Sequence, residues 1–371
     1  MLDQIKTDAP RPLGMILDRE RIAREAEAGN WPDRTLVDYF DAALQNHGET
    51  AALIEWRAGR EGETEISYAT LDYRAHCIAC NLLELGIGKG DIVSFQLPNW
   101  WEFVAIHLAC LRIGAISNPL MPIFRARELD YMVAFAESRV LIVPKYFQKF
   151  DHESMALDLQ NTIPTLEHVF VVGGEGETGF EKNLLKDPET IPARELTSLQ
   201  PVSPNEVVQL LYTSGTTGRP KGVMHTSNTL LASARQVAGR LRLGDTDVGF
   251  MPAPFAHQIG FCFGMTMSLM LGIPLVIMDV WNPIAGTSLI ARHGASFTCA
   301  STPFMADLVN VPDIDRYDLS RFRMFMTAGA PVIPSVVKRA TEALQVHIVP
   351  GWGMTEVIQA TACQPLVTCH E

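Results

Sequence analysis

The chain has 371 residues, 47% of them hydrophobic and 19% charged, with a formal net charge of −12. That length is enough for two or more layered units with a large core, and the balance is that of an ordinary globular protein. The negative charge argues against a nucleic acid or an anionic membrane surface as partner.

The N-terminus, Met1-Leu2-Asp3-Gln4-Ile5-Lys6, has no apolar signal core. Residues 1–30 are charged and poorly periodic, and read as an arm or surface helix. The pattern predicts a helix over 36–45, a strand over 51–56 and a short strand at 66–68 leading into a helix that ends near 85. Cys77 and Cys80 have redox spacing, but they fall inside that helix and read as buried thiols, which suits a reducing cytoplasm. Strands are expected at 92–97, 116–119, 140–143 and 169–172, with helices at 101–113 and 128–136 between them. A region rich in Gly, Glu, Pro and Lys over 173–205 reads as a linker. Beyond it, strands are expected at 207–212, 223–224, 248–251, 275–278, 297–298, 324–326 and 346–349, with helices at 228–241 and 335–344. The uncharged run 259–278 has the length of a membrane span, but Gly272-Ile273-Pro274 interrupts it. It reads as a buried helix, a turn and a strand, so no integral membrane span is expected. No HExxH, paired CxxC or His cluster suggests a structural metal. Alternation of strand and helix predicts an α/β fold of mainly parallel sheets covered by helices.

The most informative stretch follows the apolar run 207–212. Thr213, Ser214, Gly215, Thr216, Thr217 and Gly218 are all glycine or hydroxyl residues, and Arg219 and Lys221 follow at once. Freed backbone N–H groups, hydroxyls and two cations make a cradle for polyphosphate oxygens. A plain hairpin loop needs only one or two special residues. The Walker pattern is excluded, because Pro220 precedes Lys221, Gly222 follows it and a strand comes next instead of a helix. The dinucleotide pattern fails as well: Gly351-Trp352-Gly353-Met354-Thr355-Glu356 carries Glu where its third Gly belongs. The segments Thr327-Ala328-Gly329-Ala330-Pro331 and Gly351 to Glu356 both follow expected strands, as the phosphate loop does, so the three can face one crevice.

The stretch Leu211 to Val223 resembles the signature loop of the acyl-adenylate-forming superfamily, the AMP-binding enzymes, and most closely that of acyl-CoA synthetases. Further matches follow in order. They are Leu97-Pro98-Asn99 through Gly114-Ala115, Pro252-Ala253-Pro254-Phe255-Ala256-His257, Thr327 to Pro331, and Gly351 to Glu356. The resemblance covers roughly residues 30 to 365. It implies two stacked, helix-covered, mainly parallel sheets, here without the small barrel and mobile C-terminal domain that complete the family. It also implies a large domain over 31–371, made of a first subdomain (about 76–204) and a second (about 31–75 plus 205–371). A chain ending at Glu371 is thus expected to be a truncated, weakly active or inactive portion.

The implied activity is ATP-dependent activation of a small carboxylic acid to acyl-AMP, followed by transfer to coenzyme A, with Mg²⁺ as cofactor. Thr213, Ser214, Gly215, Thr216, Thr217, Gly218 and Lys221 would hold the outer phosphates, and Thr355 the α-phosphate. Glu356 would bind Mg²⁺. Gly329, Ala330 and Pro331 would contact adenine, with Trp352 and Gly353 beside it. Trp352 replaces the Tyr of many relatives and would stack on adenine or line the acyl tunnel. His257 would contact the acyl carboxylate or gate the tunnel, with Phe255, Phe261, Met265 and Thr302 as tunnel-wall candidates. A medium-chain or alicyclic acid is the expected substrate. Two alternatives stand beside this reading: a non-catalytic nucleotide- or acyl-binding protein, and an adenylating enzyme that loads a carrier protein.

Overall fold

The computed structural model describes residues 18–187, 202–213 and 219–363. In chain order its first strands are β1 (Ala51–Trp56), β2 (Thr64–Ser67), β3 (Ile92–Phe95), β4 (Ile116–Pro119), β5 (Val140–Pro144), β6 (Tyr146–Phe147), β7 (Phe150–Asp151) and β8 (His168–Val172). Then come β9 (Val207–Thr213), β10 (Lys221–Thr226), β11 (Gly249–Met251), β12 (Leu275–Met278), β13 (Phe297–Ala300), β14 (Met324–Thr327), β15 (His347–Trp352) and β16 (Thr361–Ala362). They form an eight-stranded sheet in the order β16-β15-β14-β13-β11-β12-β1-β2 and a six-stranded sheet in the order β10-β9-β4-β3-β5-β8, with a small β6-β7 ribbon. Interior pairs are parallel in both large sheets. The antiparallel partners β2, β16 and β10 sit at the edges.

Parallel strands are covered on both faces, so their sequences run apolar without alternation. Accordingly β3, β4, β5, β12, β13 and β14 are buried at every position. One continuous buried cluster joins Val93 and Phe95 of the six-stranded sheet to Leu53, Met251, Leu275 and Met326 of the eight-stranded sheet. The helix Trp101–Ile113, with Phe103, Val104, Ile106 and Leu108 in that cluster, lies within this shared core.

Several elements differ from the sequence expectation. The helix Tyr68–Glu84 starts earlier than its apolar pattern, because the Ser67 side chain accepts from the Thr70 N–H and caps it. The expected linker contains the short helix Phe180–Leu184, and 188–201 lie outside the described residues. Helices His152–Thr162, Pro283–His293 and Thr302–Leu308 were not anticipated. Of the N-terminal arm, Arg19–Glu27 is a surface helix. The hairpin β9-β10 joins the sheet of residues 92–172, since β9 lies parallel to β4 with Ser117 opposite Gln209. The sheet therefore changes after residue 226, past the expected boundary near 205. Residues 51–67 belong to the sheet of the later half.

The run 259–278 is not one helix. Ile259–Thr266 winds as a wide π turn, in which the Met267 N–H reaches back five residues to the Cys262 carbonyl. Met267–Leu271 continues as an α-helix, Gly272 ends it at φ 70°, and β12 follows. Among the described residues no helix is long and apolar enough to cross a membrane. Cys77 and Cys80 are buried and are not joined in a disulfide.

Where the sheets meet, a buried charge cluster fastens them. Arg57, just after β1, binds Glu55 at 2.7 Å and Glu102 of the helix Trp101–Ile113 at 2.5 Å. Its guanidinium lies 4.3 Å from the Trp100 ring centroid. The Trp100 indole N–H donates to Asp279, just after β12, at 3.1 Å. Burial works against the Arg57 charge, but the two carboxylates outweigh it and hold its pKa above the usual value. Burial pushes the Glu102 carboxyl up to about 7; Arg57 pulls it down and the Glu55 charge adds to the rise. The upward direction follows from burial, which one guanidinium shared between two carboxylates does not offset.

Candidate active site

Open parallel sheets gather functional loops beyond the carboxyl ends of their strands. Here β11 runs into Pro252 to His257, β13 into Ser301 and Thr302, β14 into Ala328 to Pro331, and β15 into Gly353 to Glu356. Since β15, β14, β13 and β11 are consecutive in the sheet, these segments are neighbours at one rim. The Thr302 and Thr327 hydroxyls lie 3.3 Å apart there. A Cβ on Gly329 would sit 3.3 Å from Ile259, so the β14 loop touches the turn that follows His257.

The six-stranded sheet brings the hairpin. Thr213 and Lys221 are opposite one another in the β9-β10 register, so the hairpin pins both ends of the expected phosphate loop. Ser214, Gly215, Thr216, Thr217 and Gly218 lie outside the described residues. Strand period two puts Thr213, Leu211 and Gln209 on one face with Lys221, Val223 and His225. That face meets the rim of the eight-stranded sheet in two polar ties. The side-chain amides of Gln209 and Gln258 exchange bonds of 3.2 and 2.9 Å. His225 Nε2 lies 2.6 Å from the Thr355 carbonyl oxygen. On the other face, the Tyr212 hydroxyl donates to the Met132 carbonyl at 2.7 Å, and the Tyr131 hydroxyl reaches the Pro220 carbonyl at 3.4 Å.

Of the residues expected from sequence, Lys221 and Glu356 are exposed, and Thr213 and Thr355 are half-buried. Trp352 is 57% exposed, so its indole is free of the core. Gly329 and Pro331 are exposed and Ala330 is half-buried. Gly353 has no room for a side chain, since a Cβ would lie 2.0 Å from the Ile358 carbonyl oxygen. The segment folds back tightly at that point, with the Ala360 N–H donating to the Trp352 carbonyl and the Ile358 N–H to Met354.

His257 stands at the opening beyond β11. The Ile259 N–H donates to its Nδ1 at 3.2 Å, which leaves Nε2 as the protonated nitrogen of the neutral ring. The residue is open to solvent, yet the protein packed about the ring desolvates it and lowers its pKa. Behind it Gly260 passes so close that a Cβ would meet the Pro254 carbonyl oxygen at 2.2 Å. Phe255, Phe261, Met265 and Thr302 are buried. Phe255 and Phe261 pack on Phe103, with ring centroids 5.3 and 6.2 Å away.

Two residues of this site had no role in the sequence reading. Asn99, in the Leu97-Pro98-Asn99 motif, clamps the loop after β11. Its Nδ2 donates to the Ala253 carbonyl at 2.9 Å, and its Oδ1 accepts from the Phe255 N–H at 2.7 Å. A side-chain amide next to a Pro was the available signal, since it can satisfy a donor and an acceptor of distant backbone at once. The second is His225. It is buried, and desolvation lowers its pKa against the opposing pull of the Thr355 carbonyl and Glu356. Nothing in its local sequence marks it.

Among the described residues no group of three or more His, Cys, Asp or Glu is placed to hold a metal. A single exposed carboxylate, Glu356, fits Mg²⁺, which keeps most of its shell for water and phosphate oxygens.

The protein-family model described as AMP-binding enzyme matches residues 40–370. The medium-chain fatty-acid–CoA ligase of Escherichia coli (strain K12) is 33% identical over 342 residues, covering 92% of this chain and 59% of that protein. The salicyl-AMP ligase / salicyl-S-ArCP synthetase of Mycobacterium tuberculosis (strain ATCC 25618 / H37Rv) is 31% identical over 340 residues, covering 91% and 59%. This chain thus spans about three-fifths of the length of these curated relatives. Among solved structures, a long-chain-fatty-acid–CoA ligase from Archaeoglobus fulgidus superposes with a TM-score of 0.78 at 26% identity, covering 91% of this chain and 67% of that one. With the ordered motifs, the two stacked sheets and the rim of loops already in place, the family match over nearly the whole length leads to one conclusion: the chain belongs to the AMP-binding enzyme family.

Proposed function

We propose that the protein carrying this chain activates a carboxylic acid with ATP and passes the acyl group to the thiol of coenzyme A. In the first step a carboxylate oxygen attacks the α-phosphorus. The bond from that phosphorus to the bridging oxygen of the β-phosphate breaks, and pyrophosphate leaves. In the second, the thiol sulfur attacks the acyl carbon, AMP leaves, and the thiol proton passes to solvent. Such chemistry depends on positioning and charge neutralisation rather than on a protein nucleophile.

The observation that carries the reading is the meeting of two sheets at one rim. The hairpin holding Thr213 and Lys221 is tied to the segment bearing Thr355 and Glu356. In this reading Thr213, the five residues after it and Lys221 grip the outer phosphates, and the Thr355 hydroxyl donates to the α-phosphate. Glu356 is the protein ligand of Mg²⁺, which when bound neutralises phosphate charge. Gly329, Ala330 and Pro331 meet the adenine with Gly353 and the exposed Trp352. His257, with a protonated Nε2 at the opening, meets the acid.

The buried Phe255, Phe261 and Met265 behind His257 suit an apolar acyl group, and a medium-chain or alicyclic acid fits best. The name of the Escherichia coli relative supports the same size class. A second reading, transfer to a carrier-protein thiol, is favoured by the name of the Mycobacterium tuberculosis relative. Pyrophosphate exchange by the complete protein, run across medium-chain, alicyclic and aryl acids, tests the first step; silence with every acid defeats it. Parallel assays with coenzyme A and with a phosphopantetheinylated carrier protein separate the two acceptors.

A further inference from the structure

His225 has none of the roles above, yet it is placed where the two halves of the site join. It lies four residues beyond Lys221 on β10 and projects from the same face of the strand, about 13 Å further along. The residue is 3% exposed. Nε2 faces the Thr355 carbonyl oxygen at 2.6 Å across 130 residues of sequence, and Nδ1 faces Thr229 Oγ1 at 3.2 Å, in the first turn of the helix Ser227–Leu241. The ring is thus anchored at one edge to the start of a helix and offers its other edge to Thr355. Among the described residues, this is the hydrogen bond that Thr355 makes; the neighbouring backbone bonds join Val357 and Ile358 to Met354, and Ala360 to Trp352. Among the described residues, the hydrogen bond that links the loop of Thr355 and Glu356 to the strand of Lys221 is therefore made by one imidazole.

We infer that His225 is a positioning residue: its Nε2–H fixes the Thr355 carbonyl and thereby aims the Thr355 hydroxyl and Glu356 carboxylate at the phosphates that Lys221 holds. The inference rests on the proposed function for its effect on turnover, and on the His225–Thr355 contact alone for its effect on the loop. Because Lys221 and His225 share one strand, the lysine and the loop are set in a common frame. A phosphate drawn to Lys221 meets Thr355 and Glu356 at a fixed offset, with no loop ordering left to do at the moment of reaction.

Two substitutions in the complete protein separate aiming from filling. His225→Gln keeps an amide N–H where Nε2 stands, while His225→Leu keeps bulk and removes the donor. In pyrophosphate exchange, H225L is expected to lower kcat about tenfold and to raise the half-saturating Mg²⁺ concentration, with KM for the acid little changed. H225Q is expected to recover most of the loss. A role limited to packing would lower the thermal midpoint and leave the Mg²⁺ dependence of both variants at wild type; that result overturns the inference. If His225 acts through Glu356, adding H225L to Glu356→Gln costs less than the product of the single effects, whereas fully multiplicative losses overturn it. Amide hydrogen exchange over residues 353–358 needs no substrate. Faster exchange in H225L than in wild type and H225Q is expected, and equal rates in all three overturn the inference. A wild-type protein silent in pyrophosphate exchange defeats the functional reading, and the amide exchange rates then decide on His225 by themselves.

Discussion

Lys221 ends the proposed phosphate loop with its side chain exposed, and among the described residues it makes no ion pair. An exposed cation that makes no ion pair among the described residues, at the end of a glycine-rich loop, is available to a ligand. Lys221→Ala should therefore weaken the use of ATP by roughly 1.5–3 kcal/mol, the worth of a charge-assisted hydrogen bond. Pyrophosphate exchange kinetics as a function of ATP check this, and unchanged ATP dependence would remove the residue from the phosphate site. Lys221, Thr355 and Glu356 could be proposed from the sequence because their motifs are local: residue type and spacing within a dozen positions carry the signal. Asn99 and His225 were not. Their partners lie 154 to 156 and 130 residues away, and a lone Asn or His says nothing about which backbone it will meet.

At the level of elements, the loop after β11 owes its shape to a side chain from the other sheet. Asn99 satisfies the Ala253 carbonyl and the Phe255 N–H, and it is itself buried. Asn99→Ala leaves both groups without that partner, at a cost of about 2–4 kcal/mol in stability. Because the loop carries His257, KM for the acid should rise more than KM for ATP. Urea denaturation and steady-state kinetics on the same variant test the two halves of that expectation; equal changes in both KM values would dissociate the loop from acid binding. The strands were readable because doubly covered strands are uniformly apolar. The helix Pro283–His293 had a readable start, with Asn282 as cap and Pro283 in the first turn, but its interior Gly286 and Thr287 blur the apolar stripe. The sheet to which β9 belongs could not be read from residues 207–213, since an apolar strand fits either sheet equally well until its neighbour is known.

For the whole molecule, the join between the sheets rests partly on charge. Arg57→Met would strand Glu55 and Glu102 in a buried site, and breaking such a cluster costs about 3–5 kcal/mol. A drop of that size in denaturant stability is expected, and a change below about 1 kcal/mol would show that the apolar core alone holds the sheets together. The shared core also contains His107, which faces Ser117 Oγ at 2.8 Å. Burial lowers its pKa from 6.5 to about 3. The folded state then refuses a proton that the unfolded chain accepts. The stability linked to this group is complete above pH 6.5 and is lost as pH falls toward 3. At pH 5 the loss is about 2 kcal/mol. His107→Asn should flatten the fall in thermal midpoint between pH 7 and 5; an equally steep fall would assign the acid sensitivity to other groups.

The loosely wound stretch between His257 and Met267 holds, in effect, a spare residue. Deleting one position there would let ordinary winding resume, with the flanking segments keeping their directions about the coil axis. Gly272 and β12, downstream of the coil, would keep their places. Loss of a single codon is thus a change this coil absorbs, leaving the imidazole before it and the scaffold beneath it in place.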